Sequence, residues 1–297
     1  MPGDDAKPSH PPARSKRPPA PGLHVVATPI GNAEDITLRA LAVLAGVDLI
    51  LCEDTRVTAK LLSRHRVATR TMAYHDHNAD RVRPLVLDRL RQGQSVALVS
   101  DAGTPMISDP GFKLVRAAIA EGLPVTTLPG PSAPLAALVL SGLPSDRFLF
   151  AGFLPAKTTA RRQAIAELAA VPATLIFFES APRLAASLAD MTDLLGNRAA
   201  AVAREITKIY EEIRRGTLAE LAAHFLAAGP PRGEVVVVIG PPAADAPALT
   251  AGALDAKLVE ALTAMSVKDA SAAVAASTGL PRRQVYARAL TIAGREK

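Results

Sequence analysis

Three short polar clusters bring together the side chains in this chain most able to do chemistry. They are Glu53-Asp54-Thr55-Arg56, His75-Asp76-His77-Asn78 and Ser100-Asp101-Ala102-Gly103-Thr104. Carboxylates and imidazoles of this kind can remove a proton from a substrate or orient a polar ligand. Histidines at i and i+2 beside a single aspartate are a poor metal-ligand set. The His75 cluster therefore reads better as a surface loop, and no metal site is expected. Glu53, Asp54 and Arg56 read equally well as an ion pair at a helix start.

The surrounding elements give the clusters a common address. Ser95-Val-Ala-Leu-Val99 is a short apolar run that reads as a buried strand. Phe112, Leu114, Val115, Ala118 and Ile119 have helical spacing, ended by Gly122. The turn between them, with Gly103 at its centre, lies where a strand's carboxyl end gives way to a helix. Open α/β sheets bind ligands there. The same unit repeats: strands at 23–27, 48–52, 71–74 and 124–128, with helices at 36–44, 80–91 and from Ala133 to Leu140. Alternating strands and helices predict a largely parallel sheet with right-handed crossovers. The clusters 28–32, 53–56, 75–78, 100–105 and 129–133 then share one edge.

Gly142-Leu-Pro-Ser-Asp146 reads as a hinge, so residues 23–141 and 146–240 are expected to be two α/β domains. In the second, strands are expected at 148–153, 173–178, 199–203, 209–214 and 234–239. Helices are expected around 157–169, 182–195 and 218–226. Residues 1–22 hold seven prolines and read as a disordered basic tail, and 241–253 as a Pro/Ala linker. Residues 254–297 carry only helical signals, at 255–265, 267–276 and 281–293. There Thr278-Gly-Leu-Pro-Arg-Arg-Gln-Val-Tyr-Ala-Arg288 resembles the turn and recognition helix of a helix-turn-helix.

Composition narrows the classes. Hydrophobic residues make up 49% of the 297, but aromatics only 3% and Trp is absent, so the cores rest on Ala, Val, Leu and Ile. No apolar run approaches the roughly 20 residues that span a bilayer, and no signal-peptide h-region is visible. Cys52 is the only cysteine, which excludes an internal disulfide and Cys-rich zinc sites. A cytoplasmic protein is expected. The formal charge of +6 sits at the ends: +2 in residues 1–22 and +4 in 256–297, leaving 23–255 neutral. A basic excess of that kind suggests a polyanionic partner, most often nucleic acid.

GxGxxG after a strand, the Gly-rich Lys-Ser/Thr phosphate loop, GxSxG and HExxH are all absent. Ten other motifs occur in a set order: Leu23-His-Val-Val-Ala-Thr-Pro-Ile-Gly-Asn32, Cys52-Glu-Asp-Thr-Arg56, His75-Asp-His-Asn78, Val99-Ser-Asp-Ala-Gly-Thr-Pro105 and Leu128-Pro-Gly-Pro-Ser-Ala133, then Gly142-Leu-Pro-Ser-Asp146, Gly152-Phe-Leu-Pro-Ala156, Phe178-Glu-Ser180, Ala203-Arg-Glu-Ile-Thr207 and Gly233-Glu234. In that order they resemble the small-subunit (16S) ribosomal RNA cytidine 2′-O-methyltransferases of the tetrapyrrole methylase superfamily. The resemblance spans about residues 23–297.

It implies two α/β domains of the tetrapyrrole methylase type with S-adenosylmethionine in the cleft between them, a small all-α C-terminal module, and a homodimer. It also implies methyl transfer to a cytidine ribose 2′-hydroxyl in 16S RNA or the small ribosomal subunit. Pro29, Ile30, Ser100, Asp101, Ala102, Gly103 and Thr104 would line the cofactor. Ser132, Ala133, Phe178, Ala203, Arg204, Gly233 and Glu234 would complete its pocket. Ser132 stands where relatives often carry Cys.

A sulfonium suits backbone carbonyls and a carboxylate, with Asp101 the natural partner for the cofactor's ammonium or ribose. Transfer to oxygen is an in-line displacement governed by positioning, helped by a base that takes the hydroxyl proton. Glu53, Asp54, His75, Glu205 and Lys208 are the candidates, and sequence does not choose among them. Arg56, Lys157, Arg161, Arg162, Arg282, Arg283 and Arg288 would contact RNA phosphates. Two alternatives stay open: a small-molecule tetrapyrrole methylase of the same fold, and a non-enzymatic helix-turn-helix sensor. The first leaves the basic C-terminal module unexplained, and the second leaves the set of cleft motifs unexplained.

Overall fold

A computed structural model describes residues 18–242, 251–278, 280 and 282–294. It divides into two compact units. One runs to Ala136 and includes Glu205–Glu211; the other holds Ala137–Arg204 and the chain from Glu212. The expected tail and linker fall largely on 1–17 and 243–250, outside the described residues. Just before the fold, Pro19 lies against Gly46, and the carbonyl of Ala20 is 2.8 Å from His24 Nε2.

The first unit is a five-stranded sheet of β1 (Gly22–Val26), β2 (Leu49–Cys52), β3 (Thr71–Ala73), β4 (Ser95–Leu98) and β5 (Val125–Leu128). The order is β3-β2-β4-β1-β5 and every pairing is parallel, as the alternating pattern predicts. β1, β2 and β4 are buried along their whole length, as both-face coverage requires. On one face Ala40 and Leu44 of α1 (Leu38–Gly46) and Leu62 of α2 (Thr55–Arg64) pack on Val26, Ile50 and Ala97. On the other, Val82 and Val86 of α3 (Ala79–Arg91) and Leu114 of α4 (Phe112–Ala120) pack on Leu23, Leu51 and Leu98.

The chain winds outward through α1 and α2 and returns through α3 and α4, so right-handed crossovers put the two pairs on opposite faces. β1 and β4 are therefore neighbours whose following loops leave in opposite directions. This is the topological switch point of an open α/β sheet. α5 (Ala133–Ser141) follows β5.

The second unit holds β6 (Phe148–Phe153), α6 (Thr158–Glu167), β7 (Thr174–Ser180), α7 (Leu184–Leu195), β8 (Ala199–Arg204), β9 (Glu212–Thr217), α8 (Leu218–Ala228) and β10 (Glu234–Ile239). Its order is β6-β7-β10-β8-β9, with only β6 and β7 parallel. Leu184, Leu188, Leu221 and Phe225 pack beneath Leu175, Phe177, Val202, Val235 and Val237. The N-terminus of α8 is fixed by a capping box between Thr217 and Glu220.

The strand expected at 209–214 forms later. Left-handed backbone at Glu205 (φ 50°) and Thr207 (φ 65°) breaks the extended chain, and pairing with β8 begins only at Glu212. Farther along, α9 (Ala251–Ala264), α10 (Val267–Thr278) and α11 (Arg282–Ala293) close around Leu254, Leu258, Val274, Val285 and Ala289.

Candidate active site

All five polar loops of the first unit leave the carboxyl ends of its strands, and the two central ones are stitched together. Thr28 N–H donates to Gly103 O at 2.8 Å and Gly103 N–H returns the bond to Thr28 O at 3.1 Å. Gly103 sits at φ 79°, where its missing Cβ would meet Ile30 Cγ2 at 3.2 Å. Thr104 Oγ1 donates to Pro131 O at 3.1 Å. The sequence-predicted Pro29, Ile30, Ser100, Asp101, Ala102, Gly103 and Thr104, and the turn leading into Ser132 and Ala133, are thereby brought to one place.

The loop beyond stores strain. Met106 (φ 72°) and Ser108 (φ 67°) are left-handed without being glycine, and such residues cluster where a site is held in shape by its surroundings. Gly111 closes the loop at φ 133°, where a Cβ would fall 2.7 Å from Leu98 Cδ2.

The carboxylates at this edge separate by environment. Asp54 caps α2, accepting from the Arg56 amide at 2.8 Å and from its guanidinium at 2.6 Å. Those bonds hold its pKa at about 2. A carboxylate so strongly stabilised in its charged form is a weak proton acceptor, and Asp54, one of the base candidates, is placed as the cap of α2. Asp101 Oδ1 accepts from Asp54 N–H at 3.1 Å, which fixes the acid against α2.

Glu53 is shifted the other way, pushed up by burial and then by Asp101 and Asp76. Asp109 goes further, to about 6, chiefly through burial and then through the charge of Glu53. Sequence reasoning singled out Asp101 in this stretch and passed over Asp109. Its one visible signal was a second carboxylate in the same loop. His75 is part-buried; its N–H donates to Asn78 Oδ1 at 2.9 Å, while its Nδ1 is buried without a hydrogen-bond partner. Among the described residues no cluster of His, Cys, Asp and Glu could hold a metal ion.

Beside these loops lies a cavity of about 270 Å³ whose walls include Pro29, Gly31, Thr58, Lys60, Arg64 and Asp101. The segment Glu205–Glu211 packs on the same loop. Asn32 N–H donates to Thr207 Oγ1 at 2.9 Å, and a Cβ on Gly31 would stand 2.5 Å from Lys208 Cγ. Lys208 Nζ and Glu205 Oε1 pair at 2.8 Å. These two base candidates thus neutralise each other, and the segment acts as a brace on the loop after β1.

In the second unit, Phe178, Val236 and Ala203 are register partners across β7, β10 and β8, and Arg204 pairs with Val235 one step along. Gly233 (φ 92°) and Glu234 open β10 at the same end, so five predicted cofactor residues share one sheet edge. Phe178 also stacks on Phe150 and Phe153, with ring centroids 4.9 and 5.3 Å apart.

The basic residues do not all face solvent. Arg161 is 6% exposed, and its Nε donates to Asp190 Oδ2 at 2.7 Å. It is corrected from RNA contact to a buried tie between α6 and α7. Arg162 joins it, donating to Asp190 at 2.5 Å and to Asp193 at 3.1 Å. Arg288 makes two 2.6 Å bonds to Asp255 and fastens α11 to α9. Both are likewise committed within the fold. Arg56 is exposed despite its partner Asp54, and Lys157, Arg282 and Arg283 are exposed.

A doubly wound sheet with its polar loops at the switch point, followed by a mixed sheet, is the architecture of an α/β ligand-binding protein. Residues 22–222 match the family described as Tetrapyrrole (Corrin/Porphyrin) Methylases. The chain belongs within it to the ribosomal RNA small subunit methyltransferase I family, and is a methyltransferase. It is 53% identical to the Ribosomal RNA small subunit methyltransferase I of Mesorhizobium japonicum, over 93% of this chain and 94% of that one. The protein of the same name from Erythrobacter litoralis is 51% identical, over 94% and 98%. Residues 248–293 match the RsmI C-terminal HTH domain. Among solved structures, uroporphyrin-III C-methyltransferase from Thermus thermophilus, complexed with S-adenosylhomocysteine, has the same fold at TM-score 0.51 and 22% identity. The match covers 74% of this chain and 97% of that one.

Proposed function

We propose that this methyltransferase moves the methyl group of S-adenosylmethionine to the ribose 2′-hydroxyl of a cytidine in the 16S RNA of the small ribosomal subunit. It does so in the cytoplasm, as a homodimer. The observation that carries the substrate is the identity above 50%, over nine-tenths of the chain, to proteins named for that RNA. No helix among the described residues is long and apolar enough to cross a membrane.

The first unit's loops fit the cofactor chemically. They offer backbone carbonyls, the carboxylate of Asp101 and the side-chain-free surface of Gly103, whose missing Cβ leaves room against Ile30. When bound, S-adenosylmethionine supplies an electrophilic methyl carbon. Asp101 would accept from its ammonium or ribose hydroxyls, and Ile30 and Gly103 would shield it from water. Phe178, Ala203, Arg204, Gly233 and Glu234 are proposed as the cofactor contacts of the second unit.

Transfer to the ribose oxygen would release the cofactor's sulfur as a neutral thioether, and the hydroxyl proton would pass to a base supplied by this chain. Glu53 and Asp109, carboxylates in the loops after β2 and β4 with the charge of the first acting on the second, are the groups proposed to take that proton. A carboxylate with a pKa of about 6 is ionised at neutral pH yet basic enough to share a proton in the transition state. Glu53, shifted in the same direction, is its neighbour in charge. Titration calorimetry with S-adenosylmethionine tests the cradle. Asp101→Ala is expected to weaken binding at least 10-fold, and unchanged binding would overturn the assignment of Asp101.

A further inference from the structure

Ile209 is 94% exposed and Tyr210 is 72% exposed, which makes Ile209 the most exposed large apolar side chain among the described residues. A chain with three Tyr and no Trp has few aromatics to spend on solvent. The segment that carries them is held firmly. Glu205 and Thr207 are left-handed, Thr207 N–H donates to Glu211 Oε2 at 2.6 Å, Lys208 N–H to Glu205 O at 2.9 Å, and Glu211 N–H to Lys208 O at 3.1 Å. Its acids are turned onto partners inside the fold, while the aliphatic–aromatic pair is turned out.

Gly31 connects this segment to the site: it lines the cavity, and Thr207 and Lys208 lie over it. Lys60 and Arg64, both exposed, stand on the cavity's wall. Tyr210 follows two residues after Lys208, which lies over Gly31 in the wall that Lys60 and Arg64 share. An exposed aromatic on a held segment next to a wall carrying cations can grip unpaired RNA. The base stacks on the ring while the phosphates meet the cations.

We propose that Tyr210, backed by Ile209, stacks on an unpaired base of the RNA next to the methylated ribose, with Lys60 and Arg64 taking the adjoining phosphates. This rests on the ribosomal RNA reading above. Because the chain has no tryptophan, Tyr210→Trp places a single fluorophore at the stacking position.

The test uses the full-length protein with small ribosomal subunits and labelled S-adenosylmethionine. Tyr210→Ala should raise KM for the subunit by about 10- to 100-fold, the scale of one lost base–aromatic stack, with cofactor affinity unchanged. Tyr210→Trp should restore KM to within about threefold, and its emission should be quenched by the subunit but not by cofactor alone. An unchanged KM in Tyr210→Ala, or emission indifferent to RNA, overturns the stacking role. So does a change in oligomeric state by light scattering, which would make the pair a contact between copies of the chain. Wild-type protein that labels no RNA overturns the substrate reading itself, before any variant is compared.

Discussion

Asp109→Asn should make the protein more stable and less active at the same time, because one carboxylate is held at a pKa its surroundings disfavour. An unfolded aspartate titrates near 3.8, and in the fold Asp109 titrates at about 6, driven first by burial and then by Glu53. A raised pKa means that the folded state binds the proton more tightly. Stability from this group is therefore greatest at low pH and declines as pH climbs from about 4 through about 6. Above that, the ionised acid costs the fold on the order of 1–2 kcal/mol, the raised pKa discounted for the solvent that screens a part-exposed carboxylate.

Asparagine keeps the shape and removes the charge. Urea unfolding of the two proteins between pH 4 and pH 8 should show almost no difference at the acid end, growing to about 1–2 kcal/mol in favour of Asp109→Asn at neutral pH. On the activity side, wild-type single-turnover rate should rise with pH through about 6 and then level. Asp109→Asn should be slower by about 100-fold, the usual contribution of a positioned base. Stability profiles that run parallel would refute the electrostatic argument. A stabilised variant with full activity would leave Asp109 strained but not catalytic.

Other perturbations test the frame around it. Gly31→Ala forces a Cβ to within 2.5 Å of Lys208 Cγ and 2.9 Å of Ile206 O, so the brace must move. Methyl transfer should fall at least 10-fold while the melting temperature shifts by only a few degrees. Asp190→Ala strands the buried Arg161 charge and should cost about 3–5 kcal/mol in urea unfolding. Arg282→Ala with Arg283→Ala should weaken subunit binding and lower the slope of log affinity against log salt by about 1.5, as the loss of two phosphate contacts predicts, without changing cofactor affinity. Thr217→Ala removes the cap of α8 and should destabilise by about 1 kcal/mol.

The first unit was legible because its signals are local. Apolar runs such as Leu49–Cys52 become strands buried on both faces, and a polar cluster after each can only lie at the shared carboxyl edge. The bounds of α4, β6 and β10 follow directly from residue pattern for the same reason. What stayed hidden depends on contacts far apart in sequence.

The pKa of Asp109 is set first by burial and then by Glu53, and that of Asp54 by a guanidinium whose direction no periodicity gives. Arg161 and Arg162 belong to a basic helix by composition, yet Asp190 on α7 turns the first of them inward. Ile209-Tyr210 has the composition of a strand. Left-handed backbone at Glu205 and Thr207 instead folds that stretch onto Gly31, so the first unit ends with a piece of chain that the linear reading had given to the second.

The most direct measurement digests small-subunit RNA, after incubation with this protein and isotopically methyl-labelled S-adenosylmethionine, and separates the nucleosides by mass spectrometry. The account predicts one labelled product, cytidine methylated on its ribose, at close to one per subunit. Label on a base, on a tetrapyrrole precursor offered in parallel, or on nothing at all would contradict it.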